Sequence, residues 1–434
     1  AVTRKPGSAA GAALAAIPKA PVAGRDGFAC VLGGALAHRG IVVHDPHVLR
    51  RLERIDTVVL DTEVLVTGAH VITDLAPLGE GRAGPLAATA YRLFDRQAPD
   101  RVHEDGGWTL GPLDRIPQRN GAAAEVRERL VREGAGRVLG LAEGDRLRAL
   151  VRVDPEAHDA AEALLGAARG AGLRVVAAGE DTHTVVPGAD KTAPGGETLV
   201  HTVRRIQADG SGVLVISGNR EALWAADVAI GIGGKDGAPA WGADLHCDRP
   251  GDAVVVVEAC KSARQAVGRG VRIAQAAVAL GSAVVLAGRS RRPSAAGLAV
   301  VNYASLLALA TGVWSAVELL RRPVAPVTSR HPWHAMEPET VLAITGSSPS
   351  GLTTRQAQGR RRDNSHSNAG YPSLVRAIAV ELANPLTPVL AGGAALSAAV
   401  GAVLDAGIVL GVTGLTGLIG GVQRHLTEIG RAHV

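Results

Sequence analysis

The sequence predicts a mixed α/β chain, a parallel, doubly wound sheet joined to α-helical hairpins of membrane length. Three observations predict it. Short runs rich in Val, Leu and Ile alternate with helical segments between Ile41 and Ile232, as in a parallel sheet covered on both faces. Beyond residue 262 charge thins out and two long apolar stretches follow each other. A second such pair lies near the C-terminus. At 434 residues the chain has room for two or three domains.

The elements follow in order. Gly11 to Ala37 is apolar but interrupted by Pro18, Lys19, Pro21, Arg25 and Asp26, a poor membrane span by itself. Ile41 to Thr67 leads into a strand, Thr57-Val58-Val59-Leu60, that ends at Asp61. Residues from about Gly68 to Gly136 are rich in Gly, Pro and Arg, with a helix expected near Ala122–Arg132. Leu147–Val153 reads as a strand, and Asp154-Pro155-Glu156 as the opening of a helix, with Pro at a tolerated first-turn position. Gly170 and Gly172 end that helix and Leu173–Ala178 is the next strand. Leu199–Gln207 (helix), Val213–Ile216 (strand), Glu221–Ala226 (short helix) and Val228–Ile232 (strand) complete the α/β region.

The apolar stretches are Ile273–Gly288 and Gly297–Trp314, then Leu386–Leu404 and Ala406–Val422. Each is near the lower length limit for crossing ~30 Å of hydrocarbon. Tight turns between the members of each pair read as transmembrane hairpins, so the lipid bilayer is an expected partner. The other reading is buried Ala- and Gly-rich helices of a soluble protein. Between the pairs, Thr353-x-x-Gln356 has the spacing of a capping box.

Composition excludes little. Hydrophobic residues make up 47% and aromatics 2%. Small apolar residues therefore dominate, as in close helix packing in a bilayer or under compositional bias. Only five of the 46 basic residues are Lys and the net charge is +5. No aromatic-interleaved basic strip points to nucleic acid, so no nucleic-acid partner is expected. Cys30, Cys247 and Cys260 have no metal-ligand or disulfide spacing. Gly231-Ile232-Gly233-Gly234-Lys235 lacks the full phosphate-loop spacing and reads as an α/β turn.

Several segments resemble a cation-transporting P-type ATPase from its fourth to its sixth membrane helix. Ile17-Pro18-Lys19-Ala20-Pro21 resembles the family's proline-broken helix. Val59-Leu60-Asp61-Thr62-Glu63-Val64-Leu65-Val66-Thr67 resembles its phosphorylation loop, D-K-T-G-T-L-T. Val153-Asp154-Pro155 with Ala171-Gly172-Leu173-Arg174-Val175-Val176 resembles D-P-x-R and the segment before T-G-D. Ala225-Ala226-Asp227-Val228-Ala229-Ile230-Gly231-Ile232 resembles the strand after the hinge G-D-G-x-N-D.

A second resemblance begins at Pro332-Trp333-His334-Ala335-Met336. With Gly346 to Thr353 and Asn384-Pro385-Leu386, it is similar to the N-terminal domain of another cation pump. Very large, doubled actinobacterial cation ATPases have this layout.

The resemblance implies a haloacid-dehalogenase-like phosphorylation domain and a multi-pass cell-membrane protein. It divides the chain into a broken helix and stalk (1–40), a phosphorylation domain (41–68 and 137–262) and a reduced nucleotide-domain-like insertion (69–136). A transmembrane hairpin (263–322), a cation-pump N-terminal domain (331–384) and a second hairpin (385–422) follow. Residues 428–434 read as an adapter-derived tail, so the chain is expected to be a fragment whose partner is the remainder of a parent chain. ATP, Mg²⁺ and an inorganic cation are implied as cofactors and cargo.

The resembling site departs from the chemistry it should carry. Phosphoryl transfer to a carboxylate needs cationic compensation of an anionic transition state. Asp61 stands where the phospho-acceptor belongs. Thr62 replaces the Lys that follows it, Glu63 replaces a phosphoryl-binding Thr, and Val64 replaces the loop Gly. Ala178-Gly179-Glu180 replaces T-G-D, and Ser217-Gly218-Asn219-Arg220 replaces the Mg²⁺-binding hinge. For transport, Lys19 stands where a cation-binding carboxylate belongs, and Asn302 is a candidate polar ligand in the sixth helix.

Three readings stay open: a catalytically degenerate, structural or regulatory half of a pump; an active pump with an unusual site; or a soluble haloacid-dehalogenase-like phosphatase or binding module.

Overall fold

The computed structural model describes residues 19–79, 83–116, 126–128, 130, 136–233, 240–286, 293–322, 338, 342, 347, 349–358 and 411. Helix α1 spans Lys19–His38, strand β1 Ile55–Asp61 and β2 Val66–Pro77. Next come α2 (Ala83–Leu93), β3 (His103–Asp105), β4 (Trp108–Pro112), β5 (Arg137–Glu143) and β6 (Arg146–Ala157). The α/β alternation follows with α3 (Ala160–Gly170), β7 (Arg174–Ala178), α4 (Thr182–Val185), β8 (Lys191–Ala193) and α5 (Leu199–Ala208). It continues through β9 (Gly212–Ser217), α6 (Arg220–Ala225), β10 (Val228–Ile232) and β11 (Leu245–Cys247). Two long helices, α7 (Val254–Leu286) and α8 (Pro293–Arg321), complete the labelled elements.

The chain divides into two compact units. One holds β1 to β11. The other holds α1, α8 and the part of α7 from Ala259 onward.

In the first of these units, β11, β10, β9, β1, β7 and β8 lie side by side in that order, and every pair is parallel. Val58, Val59 and Leu60 of β1 have no exposed surface. A strand buried on both faces must be apolar at consecutive positions, and β1 is. Val59, Val176, Val213 and Val215 share one core cluster with Leu199 and Val203 of α5 and Leu223 of α6.

The same unit contains an antiparallel sheet in the order β2-β6-β5-β4-β3. Its two faces alternate along β6 from Ala149 to Val153, and an irregularity at Arg148 puts Leu147 on the same face as Leu150. Ala149, Val151 and Val153 pack with Leu86, Ala90 and Leu93 of α2. Leu147 and Leu150 pack with Ala76, Leu78 and Ile116.

This arrangement corrects one expectation. The helix expected to open at Asp154-Pro155 does not; β6 runs through to Ala157 and α3 begins at Ala160. Pro155 is tolerated because β5 stops pairing at Val153, so Pro155 has a strand partner only on the β2 side, opposite His70. The strand expected at Leu147–Val153 is therefore present but belongs to the antiparallel sheet, not to the parallel one. The helix expected near Ala122–Arg132 lies largely outside the described residues.

In the other unit, α1 and α8 pack through glycine. An ideal Cβ on Gly27 would lie 2.8 Å from the carbonyl oxygen of Leu309, and one on Gly312 only 2.0 Å from that of Gly24. Side chains there would force the backbones apart, so small residues set the contact distance. Ala20, Ala274, Ala304 and Ala308 fill the seam between α1, α7 and α8. Ala299–Arg321 is the one helix among the described residues that is long and apolar enough to cross a membrane. The stretch Ile273–Gly288 falls mostly within α7. The second apolar pair, apart from residue 411, and most of 331–384 lie outside the described residues. The Thr353–Gln356 capping box is formed: the amide of Thr353 donates to Gln356 Oε1 at 3.0 Å and the amide of Gln356 to Thr353 Oγ1 at 3.4 Å.

Candidate functional site

The parallel sheet brings three strand ends together. Leu60 pairs with Ile216 on one side, and Asp61 with Ala178 on the other. Asp61, Ala178 and Ser217 therefore share the carboxyl edge, where open α/β sheets bind ligands.

Asp61 is closed in. It is 1% exposed. The hydroxyl of Ser217 donates to its Oδ2. The amide of Glu63 donates to its Oδ1 at 3.1 Å, so the carboxylate caps the short turn Thr62–Val64. Ser217 is held in turn by the Asn219 amide, which donates to its Oγ at 2.9 Å. Burial pushes the Asp61 carboxyl above its usual range. The two hydrogen bonds oppose that rise, and the nearby Glu63 carboxylate adds to it. The net is a carboxyl whose pKa lies above the ordinary carboxylate value.

Thr62 closes the loop from the other side. Its hydroxyl donates to the Glu180 carbonyl at 2.9 Å. A Cβ on Gly179 would lie 2.1 Å from that hydroxyl, and Gly179 has φ +125°. Only glycine fits there. The adjacent Asp181 takes a left-handed conformation with φ 50°. Its carboxyl is raised by partial burial, then by Asp154 and Glu180, with Arg137 and His70 opposing.

The donor set does not fit Mg²⁺. Such an ion needs several hard oxygen ligands in octahedral array. Both Asp61 oxygens already accept hydrogen bonds from the protein. The turn after β9, Gly218-Asn219-Arg220, carries no carboxylate. The Asn219 side chain is committed elsewhere: it accepts from the Ala222 amide at 3.0 Å, capping α6, and donates to the Gly196 carbonyl at 2.9 Å. Among the described residues no group of three or more His, Cys, Asp or Glu side chains is placed to hold a metal.

The transport candidates lie in the other unit. Lys19 opens α1 with its side chain exposed, and Asn302 is half-buried on α8. Ala20 and Ala304, close to each in sequence, pack in one cluster. The two positions therefore lie at the same end of the α1–α8 contact.

No family model matches the sequence. The chain is 32% identical over 461 aligned residues to "Probable cation-transporting ATPase I" of Mycobacterium tuberculosis, covering 98% of this chain. The Mycobacterium leprae protein of the same name matches at 32% over the same length. The chain spans 28% of the length of these curated relatives. Among solved structures, a zinc-transporting PIB-type ATPase in its E2.Pi state superposes with a TM-score of 0.50 at 17% identity, covering 68% of this chain and 56% of that one. This chain has the P-type ATPase fold and is related to cation-transporting ATPases.

Within that fold, Asp61, Ala178 and Ser217 lie together at the carboxyl edge of the parallel sheet. Sequence reasoning placed Asp61 there but did not foresee that Ser217 reaches it. The available signal was that both residues end apolar strand runs of one parallel sheet.

Proposed function

We propose that this chain is a catalytically degenerate segment of a cation-transporting P-type ATPase, with a structural or regulatory role in its parent protein. The observation that carries this reading is the closed state of Asp61: buried, and with both oxygens accepting hydrogen bonds from Ser217 and Glu63. An in-line phosphoryl acceptor needs an ionised, reachable oxygen and nearby positive charge. Instead the phosphorylation loop supplies a second carboxylate, Glu63, and the following turn supplies no metal ligand.

The reading includes a cell-membrane, multi-pass location, with lipid and the remainder of the parent chain as partners. The apolar Ala299–Arg321 helix and the glycine seam between α1 and α8 support it. Similarity over 98% of the chain to proteins named as cation-transporting ATPases supports it further. ATP binding and an inorganic cation as cargo belong to the parent protein in this proposal.

Mg²⁺-dependent ATP turnover by the membrane-embedded protein tests the reading. No turnover above that of Asp61→Asn is expected. Turnover that Asp61→Asn abolishes would mean the site is an active variant.

A further inference from the structure

We infer that α1 and the segment after it form a binding groove for an anionic phospholipid, seated where the helix bundle meets the membrane surface. The inference rests on the membrane reading above. A cavity of about 650 Å³ lies along α1, lined by Asp26, Ala29, Cys30, Gly33, Gly34 and Ala37 on the helix. Ile41, Val42, Val43, Pro46, Leu49 and Arg50 form its other wall. That volume is within the ~300–1,000 Å³ range of ligand sites.

The helix residues recur at i, i+3, i+4, i+7 and i+8, so they share one face. It is not the face that packs on α8, which is marked by Gly24 and Gly27. Between Ala29 and Ala37 the lining residues of the helix carry no side chain larger than that of Cys30, and Leu49 reaches over Gly33. Val42, on the opposite wall, is 63% exposed although apolar. One acyl chain laid in this slot would cover both walls.

Charge chooses the head group. Asp26 and Arg50 pair at 3.0 Å at one end of the slot, and Arg25 lies 3.6 Å from both Asp26 and Glu53. Between Lys19 and Glu53 there are five Lys and Arg against three Asp and Glu, with three His besides. The local excess is positive, and His44, His47, Arg50 and Arg51 are exposed beside the lining residues. Basic groups at the mouth of an apolar slot at a membrane surface favour a phosphate-bearing, negatively charged head over a zwitterionic one.

Cys30 lines the slot and reports on it. Burial pushes the other two thiols, Cys247 and Cys260, up to about 12, so they are poorly reactive near neutral pH. The experiment is maleimide labelling of Cys30 in the full chain, incorporated in phosphatidylcholine vesicles with and without phosphatidylglycerol. Cys30→Ser sets the background.

Phosphatidylglycerol is expected to slow labelling about fivefold, the scale set by one arginine at an anionic surface. Arg50→Gln should remove most of that difference, and Ala37→Phe, which fills the slot, should remove it with the protein still incorporated. Equal labelling in both vesicles overturns the groove. Uniform protection in both also overturns it, because the slot would then be covered by protein, such as 385–422 of this chain or a second copy. Failure of the protein to float with either vesicle would instead overturn the membrane reading on which the groove rests.

Discussion

Ser217 and Asp61, 156 residues apart in sequence, end neighbouring parallel strands, and the Ser217 hydroxyl donates to the Asp61 carboxylate. The contact completes a chain: the Asn219 amide holds Ser217, Ser217 holds Asp61, and Asp61 caps the turn at Glu63. In this arrangement Asp61 is a hydrogen-bond acceptor that ties the two strand ends to the turn at Glu63.

Asp61→Asn should stabilise the protein at neutral pH. Burial raises the folded-state pKa of Asp61 above its ordinary 3.8. The sign follows from linkage: the stability given by a neutral carboxyl is fully present below 3.8 and is lost as pH rises through the higher folded value. Asn keeps the shape, accepts from the Glu63 amide and stays neutral. Thermal unfolding should show the variant ahead at pH 7, with the gap closing below about pH 4. A variant less stable at pH 7 would mean the ionised carboxylate is the favoured form.

Ser217→Ala removes one donor from a buried carboxyl. It should cost ~1–3 kcal/mol at pH 7. The cost should shrink in an Asp61→Asn background, where no charge is left uncompensated. A double-mutant cycle measures this, and additive effects would deny the coupling.

Gly312→Ala tests the α1–α8 seam. The added methyl meets the Gly24 carbonyl at 2.0 Å, so the helices must separate, at a cost of ~1–3 kcal/mol. Gly268→Ala on α7, where a Cβ meets nothing within 4 Å, is the control. It should be neutral or gain ~0.5–1 kcal/mol from helix propensity. Unfolding in detergent should separate the two, and equal effects would contradict the packing.

Much of the α/β region was legible because buried parallel strands must be runs of branched apolar residues. Val228–Ile232 is a strand with the expected bounds, and the expected Leu199–Gln207 helix runs one residue further, to Ala208. Asp154-Pro155 was misread because Pro is equally at home in a first helical turn and on the open side of a strand. Only the pairing of β2 with β6, across about 80 residues, decides between them. At the site, the substitutions of Thr62, Glu63 and Val64 were visible as residues. The Ser217 contact was not, since it depends on which strands become neighbours in the sheet.

The most direct test of the closed-carboxylate account is acyl-phosphate formation. The membrane-embedded protein is incubated with labelled ATP and Mg²⁺ beside an active control pump, and protein-bound label is tested for hydroxylamine lability. The account predicts no labile label on this chain. A labile label that Asp61→Asn removes would contradict it and make Asp61 a working phospho-acceptor.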